Sequence, residues 1–206
     1  LAQRLERTTR AVGRIYDTLV PAQQGQARLP NEPRALAAAV KAAGVPGTQQ
    51  AVRLIEGWRS ASPCRALRNP AARDAFETVL PALIAAIGAS GDADGALLRF
   101  DSFVRQLPAG LQFFALLQAN PALIPQLARL LGLSPTLADA LARTPDLFDL
   151  MLDAQAFRPR GDAAALTAEL RAVVTGAGYE DRLDRVRRWT AEQRFCIGAQ
   201  IIERSR

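Results

Sequence analysis

The string Ser90-Gly91-Asp92-Ala93-Asp94 is the place where this sequence sets two carboxylates at the Asp-x-Asp spacing of metal-assisted phosphoryl chemistry. On a β-strand alternate residues share a face, so two such carboxylates jointly hold Mg2+ against a nucleoside triphosphate. Here the string lies between two helical patterns and has no strand to sit on. The competing role is a helix cap. An Asp side-chain oxygen at Asp92 or Asp94 would accept an orphan N–H of a helix beginning near Ala93, its charge favoured by the helix dipole. The surroundings favour the cap.

A second acidic group, Asp146, Asp149 and Asp153, recurs at i, i+3, i+7 and therefore shares one helix face. A metal or a cationic partner could use that face. Asp146 nevertheless stands in a first turn, where a carboxylate is favoured anyway, and no nearby His or Glu completes a site, so a solvated face is the simpler reading. Arg182, Arg185, Arg187, Arg188 and Arg194 crowd one C-terminal helix and suit an acidic partner domain, with Asp181, Asp184 and Glu192 answering about half of the charge locally. Trp58 and Trp189 sit on amphipathic helices, each either an interface anchor or a tryptophan at the rim of the core. Phe113 and Phe114 could line a ligand pocket, but core is the default for such a cluster. The candidate interaction face is thus Asp146, Asp149, Asp153, Arg185, Arg188 and Trp189. No residue is assigned to catalysis, to a cofactor or to a metal.

Composition narrows the chemistry further. The chain has no histidine and two widely separated cysteines, Cys64 and Cys196, which excludes the usual Cys/His zinc sites, Ser/His or Cys/His nucleophiles and a histidine general base. The thiols are expected to be reduced rather than paired. The formal charge of +6 rests almost wholly on arginine, Lys41 being the only lysine. Those arginines are scattered instead of forming the basic stripe that nucleic-acid binding needs, so no nucleic-acid partner is expected. No signal-like opening and no run of 18 apolar residues occurs, so no membrane role is expected and the chain reads as soluble and cytoplasmic. With 206 residues, 49% of them apolar, it can bury a substantial core. It starts at Leu1 and stops inside a helical pattern, and is expected to be a piece of a longer protein.

The elements that must position these residues are helices. No segment alternates as a strand does. A capping residue followed by proline recurs instead, at Ser62-Pro63, Asn69-Pro70, Asn120-Pro121, Ser134-Pro135 and Thr144-Pro145. The cap accepts an orphan N–H and proline has none to leave unpaired. The apolar periods predict helices at about 1–20, 34–43, 48–60, 70–88, 93–107, 110–118, 121–131, 135–143, 145–154, 162–174 and 180–204. Pro81 should end or kink the fourth of these. The predicted fold is all-α: a compact array of short antiparallel helices with proline-capped starts, plus a long C-terminal helix. Gln23 to Pro33 reads as a loop, and Phe157 to Asp162 as a seam dividing the chain into 1–157 and 158–206. On the long helix, Asp181 to Arg185 and Asp184 to Arg188 are expected as i,i+4 ion pairs.

Several strings occur in a fixed order: LVPAQQGQARLP, GWRS, ALRNPAARDAFETVLPALIAAI, the run from GDADGALLRF to DLFDLMLD, and YEDRLDRVRRWTAEQRFCIGAQII. Together, over nearly the whole chain, they resemble the bifunctional glutamine synthetase adenylyltransferase/adenylyl-removing family, most of all its alphaproteobacterial versions. In that family two nucleotidyltransferase domains flank a helical middle region, and the chain resembles that middle, with 158–206 similar to the lead-in to the C-terminal adenylyltransferase domain. The family's catalytic Gly-Ser and Asp-x-Asp strands have no counterpart here, so no catalytic residue is carried over. Asp92 and Asp94 fall between helices of the family pattern, which agrees with the cap. Cys196 departs from it, standing where the family usually has a basic residue.

The resemblance implies a non-catalytic linker and regulatory segment, with no cofactor of its own, in an enzyme using ATP and Mg2+ for nitrogen regulation. Its implied partners are the flanking nucleotidyltransferase domains, the PII signal protein and glutamine synthetase. The alternative is a free-standing α-helical protein-interaction module, distinguished by whether the parent gene encodes Gly-Ser and Asp-x-Asp strands on both sides.

Overall fold

In the computed structural model, residues 28–60, 64–152, 161–176 and 178–204 are described. The helix expected over 1–20, the restart at Ser62-Pro63, most of the seam after Phe157, and Asp153 lie outside the described residues. Within them every regular element is helical: α1 Pro33–Ala42, α2 Thr48–Arg59, a 3-10 turn Arg65–Leu67, α3 Pro70–Gly88, α4 Ala93–Gln106, α5 Gly110–Ala119, α6 Leu123–Leu133, α7 Pro135–Arg143, a 3-10 segment Pro145–Leu152, α8 Ala163–Val174 and α9 Tyr179–Arg204.

Capping chemistry sets most starts. Asn69 accepts from the Ala71 N–H at 2.9 Å and Ser134 from Leu137 at 3.3 Å, each with proline at the first helical position. At α1 the cap is Glu32, whose two oxygens accept from Arg34 and Ala35 at 3.0 and 2.6 Å. Asn120-Pro121 departs from expectation. Asn120 closes α5, its side chain donating back to the Leu116 carbonyl at 3.2 Å, and the chain turns through Pro121 and Ala122 before α6 begins. The side-chain oxygen that would have capped a helix is on an amide engaged with the preceding one.

Pro81 does not end α3, which runs unbroken from Pro70 to Gly88. An interior proline costs about 3 kcal/mol. Phe76, Val79, Leu80, Leu83, Ile84 and Ile87 are all buried along the same helix, and at about 1.5–3 kcal/mol each their burial outweighs that cost.

Helix α3 forms the middle of the stack, packed against α5 and α6, while α4 lies on α6 and α7 and α1 pairs with α2. A line of rings packed edge-on or tilted runs through the core: Trp58 to Phe76 (5.6 Å between centroids), Phe76 to Phe114 (5.0 Å, tilted), Phe114 to Phe113 (5.2 Å) and Phe113 to Phe148 (4.8 Å). Phe113 and Phe114 are therefore core, as are the buried Trp58 and Phe148. The line ends under the 145–152 segment and fixes its inner side.

The C-terminal half of α9 packs on α6, α7 and 145–152, burying Phe195, Cys196 and Ala199. Its end is held by Arg129, which donates to the Ile202 carbonyl at 2.6 Å and faces Glu203 at 3.6 Å, a cation placed where helix carbonyls run out of partners. The N-terminal half of α9 pairs with α8, which buries no residue fully. Cys64 and Cys196 are not joined in a disulfide.

Candidate functional site

At Ser90–Asp94 the two carboxylates turn to different tasks. Asp92 caps α4, its Oδ1 accepting from the Gly95 N–H at 2.9 Å, and its Oδ2 accepts from Arg99 at 3.1 Å. Asp94 reaches across to the Gly47 N–H at 2.8 Å, tying the α1–α2 turn to α4. The Gly95 hydrogen bond, and after it Arg99, hold the Asp92 carboxyl below its ordinary pKa. A depressed folded-state pKa means that the cap's contribution is complete above the unfolded-state value and is lost as pH falls through the lower, folded-state one. Asp92→Asn keeps a good cap but does not titrate. Urea midpoints compared between about pH 5 and pH 2 are expected to fall less steeply for the variant than for the parent, and parallel curves would contradict the assignment.

The 145–152 segment is a 3-10 helix, not the α-helix expected from its apolar period. With three residues per turn, positions i, i+3 and i+6 eclipse. Asp146, Asp149 and Leu152 consequently form one exposed ridge, while Leu147, Phe148 and Met151 are buried. Phe148, seated against Phe113, and Thr144, whose carbonyl accepts the Leu147 N–H at 3.0 Å, set this tighter winding.

Between that segment, α7 and α9 lies a groove made of two adjoining cavities, of about 400 and 520 Å3, which share Thr144, Leu147 and Ala191. Asp146 and Arg188, both singled out from the sequence, line the first cavity together with Arg187 and Glu192. The second is lined by Arg143, Arg194, Ile197, Gly198 and Ile201 among others. Gly198 brings α9 close to α7: a Cβ there would stand 2.7 Å from Leu137 Cδ2. Asp149 is exposed on the ridge and does not line the groove.

The remaining predicted residues turn the other way, toward α8. Arg185 donates to the Val173 carbonyl at 3.0 Å in place of the expected pair with Asp181, and Asp184 pairs with Arg187 at 3.2 Å instead of Arg188. Exposed pairs on a helix are worth only tenths of a kcal/mol, so a nearby carbonyl or an i,i+3 partner is enough to redirect them. Trp189 donates to Glu169 Oε1 at 3.1 Å, and Gln193 to the same oxygen at 3.2 Å. Gln193 is buried and its Oε1 has no partner among the described residues, so its polar anchorage rests on Glu169. Glu169→Ala is expected to cost about 1–3 kcal/mol by leaving the Gln193 amide unpaired. It should also shift Trp189 emission to the red and speed hydrogen exchange in α8; unchanged exchange would show that Glu169 does not hold the two helices.

Sequence reasoning missed Thr144, Leu147, Leu150, Ala191 and Gly198 as parts of one groove. The available signal was the run Arg187, Ala191, Arg194, Gly198, Ile201, which places small or apolar residues between arginines along one face of α9. Among the described residues, no group of three or more His, Cys, Asp or Glu is arranged to hold a metal ion, and no helix is long and apolar enough to cross a membrane.

Fold and site together define an all-α body with an arginine-rimmed apolar groove. In sequence, the chain is similar to a segment of the bifunctional glutamine synthetase adenylyltransferase/adenylyl-removing enzymes, which bears out the resemblance carried by the ordered strings. It is 40% identical over 151 residues to the enzyme of that name from Mesorhizobium japonicum, a match covering 73% of this chain and 15% of that protein. With the Brucella melitensis enzyme it shares 37% identity over 169 residues (76% and 17%), and with that of Bartonella quintana 40% over 139 residues (67% and 14%). The chain thus spans 14–17% of the length of these relatives. No family model matches it. Cys196, where a basic residue was expected, is buried against the core, so in this chain that position faces inward.

Proposed function

We propose that this chain is the helical connector between the two nucleotidyltransferase domains of a cytoplasmic glutamine synthetase adenylyltransferase/adenylyl-removing enzyme, and that it regulates chemistry done elsewhere. The observation that carries this reading is the similarity to a short segment of much longer enzymes of that name, 37–40% identical in the three compared. ATP and Mg2+ act in the flanking domains of the parent, and PII and glutamine synthetase are partners of the whole protein. The described residues support a role built on packing. Their acidic Asp-x-Asp pair is occupied by a cap and an interhelical tie, and the 145–152 ridge and α9 are among the places where they expose charge. A rigid helical body couples two sites when ligands at each favour different arrangements of it.

Charge reversal at Asp146 and Asp149 in the full-length enzyme tests the reading. The expected result is that both activities persist while their dependence on glutamine and PII shifts by about fivefold or more in half-maximal concentration, the range of ordinary coupling energies. Unchanged dependence in both directions would remove this ridge from regulation.

A further inference from the structure

The groove between 145–152, α7 and α9 presents two surfaces at once. Its open end exposes large aliphatic side chains, Ile197 at 43% and Ile201 at 61%. Its rim carries Arg143, Arg187, Arg188 and Arg194 against only Asp146 and Glu192. Arg187 is engaged by Asp184, whereas Arg143, Arg188 and Arg194 form no ion pair among the described residues. Unpaired guanidinium groups beside exposed isoleucines are what a charged, partly apolar occupant would cover.

The shape narrows the occupant. The two cavities join through Thr144, Leu147 and Ala191 and follow α9 from Arg187 to Ile201. At 1.5 Å per residue that stretch is about 21 Å, or four helical turns. A concave apolar trough of this length accepts the apolar stripe of one amphipathic helix, with acidic residues on its flanks meeting the rim. A second copy fits poorly, because a two-fold contact through this face would set arginine rim against arginine rim. A phosphate backbone would leave the isoleucines uncovered.

We infer that this groove is the docking site for an acidic amphipathic α-helix, about four turns long, from a partner protein or domain. It rests on the groove alone and stands whichever longer protein carries the chain.

The test uses two synthetic peptides of about 18 residues, alike in a helical leucine stripe and differing in Glu or Lys at every flanking position, titrated by fluorescence anisotropy against the 206-residue chain at low salt. The Glu peptide is expected to bind at least about tenfold more tightly than its Lys twin. Arg143→Glu with Arg194→Glu, both exposed and so compatible with the fold, should cost at least about tenfold for the Glu peptide and narrow the gap to the Lys twin. Ile201→Glu should weaken both peptides.

Equal affinity for the two peptides, or Glu-peptide binding that the double reversal leaves intact, would overturn the inference. So would preferential capture of single-stranded DNA by the same arginines, or a dimer in sedimentation that Ile201→Glu dissolves. Circular dichroism of each variant establishes that the fold is retained.

Discussion

Trp58→Ala is expected to destabilise the chain by about 3–5 kcal/mol, the range for removing a buried aromatic. Trp58 is 2% exposed and meets Phe76 and Phe100 edge-on, each with centroids at 5.6 Å. Its Nε1–H donates to Asp101 at 2.8 Å, and the other oxygen of that carboxylate accepts from Arg105, also at 2.8 Å. Asp101 in turn raises the Arg105 pKa, first through this hydrogen bond and then through its charge. Alanine thus removes the packing of a large ring and one of the two donors of a side chain only 14% exposed. Trp58→Phe separates the two effects: it keeps much of the volume and is expected to cost about 1–3 kcal/mol for the lost donor. Guanidinium midpoints check both. A loss below about 1 kcal/mol for the alanine variant would mean that the core closes over the space, and that the ring line from α2 to Phe148 does not behave as one packed unit.

That burial also disposes of Trp58 as an interface anchor, a role its sequence neighbourhood left open. How far the sequence could speak depended on the range of the interaction. Local chemistry was legible: Asn69-Pro70 and Ser134-Pro135 start α3 and α7 where cap and proline together put them, and Asp92 caps α4 as its flanks required. Effects set by tertiary contact were not. The core along α3 overrides Pro81, an amide bond to Leu116 takes Asn120 away from capping, and the seat of Phe148 on Phe113 accompanies a 3-10 winding that re-registers the Asp146 ridge. Arg185 and Trp189 belong to the charged helix that the sequence announced. Their partners, Val173 and Glu169, sit on a neighbouring helix whose approach no spacing within α9 specifies. The groove is legible least of all, since its walls come from segments about 50 residues apart and neither wall alone has a distinctive pattern.

The second large effect is expected at Gly88. A Cβ built there would lie 1.8 Å from the carbonyl oxygen of Ala43 and 2.7 Å from its carbonyl carbon. Both atoms are backbone, so no rotamer change makes room. The contact is close from both sides, for a Cβ at Gly44 would stand 3.1 Å from the Gly88 carbonyl oxygen. Gly44 has φ +90 besides, in the left-handed region that suits glycine. Here the end of α3 meets the turn leaving α1, and the next residues lead to Gly47, whose N–H is held by Asp94. Gly88→Ala must therefore push the α1–α2 pair off α3 or distort the last turn of α3. Overpacking of this kind costs about 1–3 kcal/mol where side chains can yield, and a backbone clash belongs at or above the top of that range. The intrinsic preference of alanine for a helix returns about 1 kcal/mol, too little to offset it. Denaturation midpoints for Gly88→Ala, with Gly57→Ala as a control whose Cβ would meet nothing within 4 Å, should separate by at least about 2 kcal/mol. Equal midpoints would show that α1 and α2 are not seated on α3 through this contact, and hydrogen exchange confined to residues 33–59 would show where the loosened pair opens.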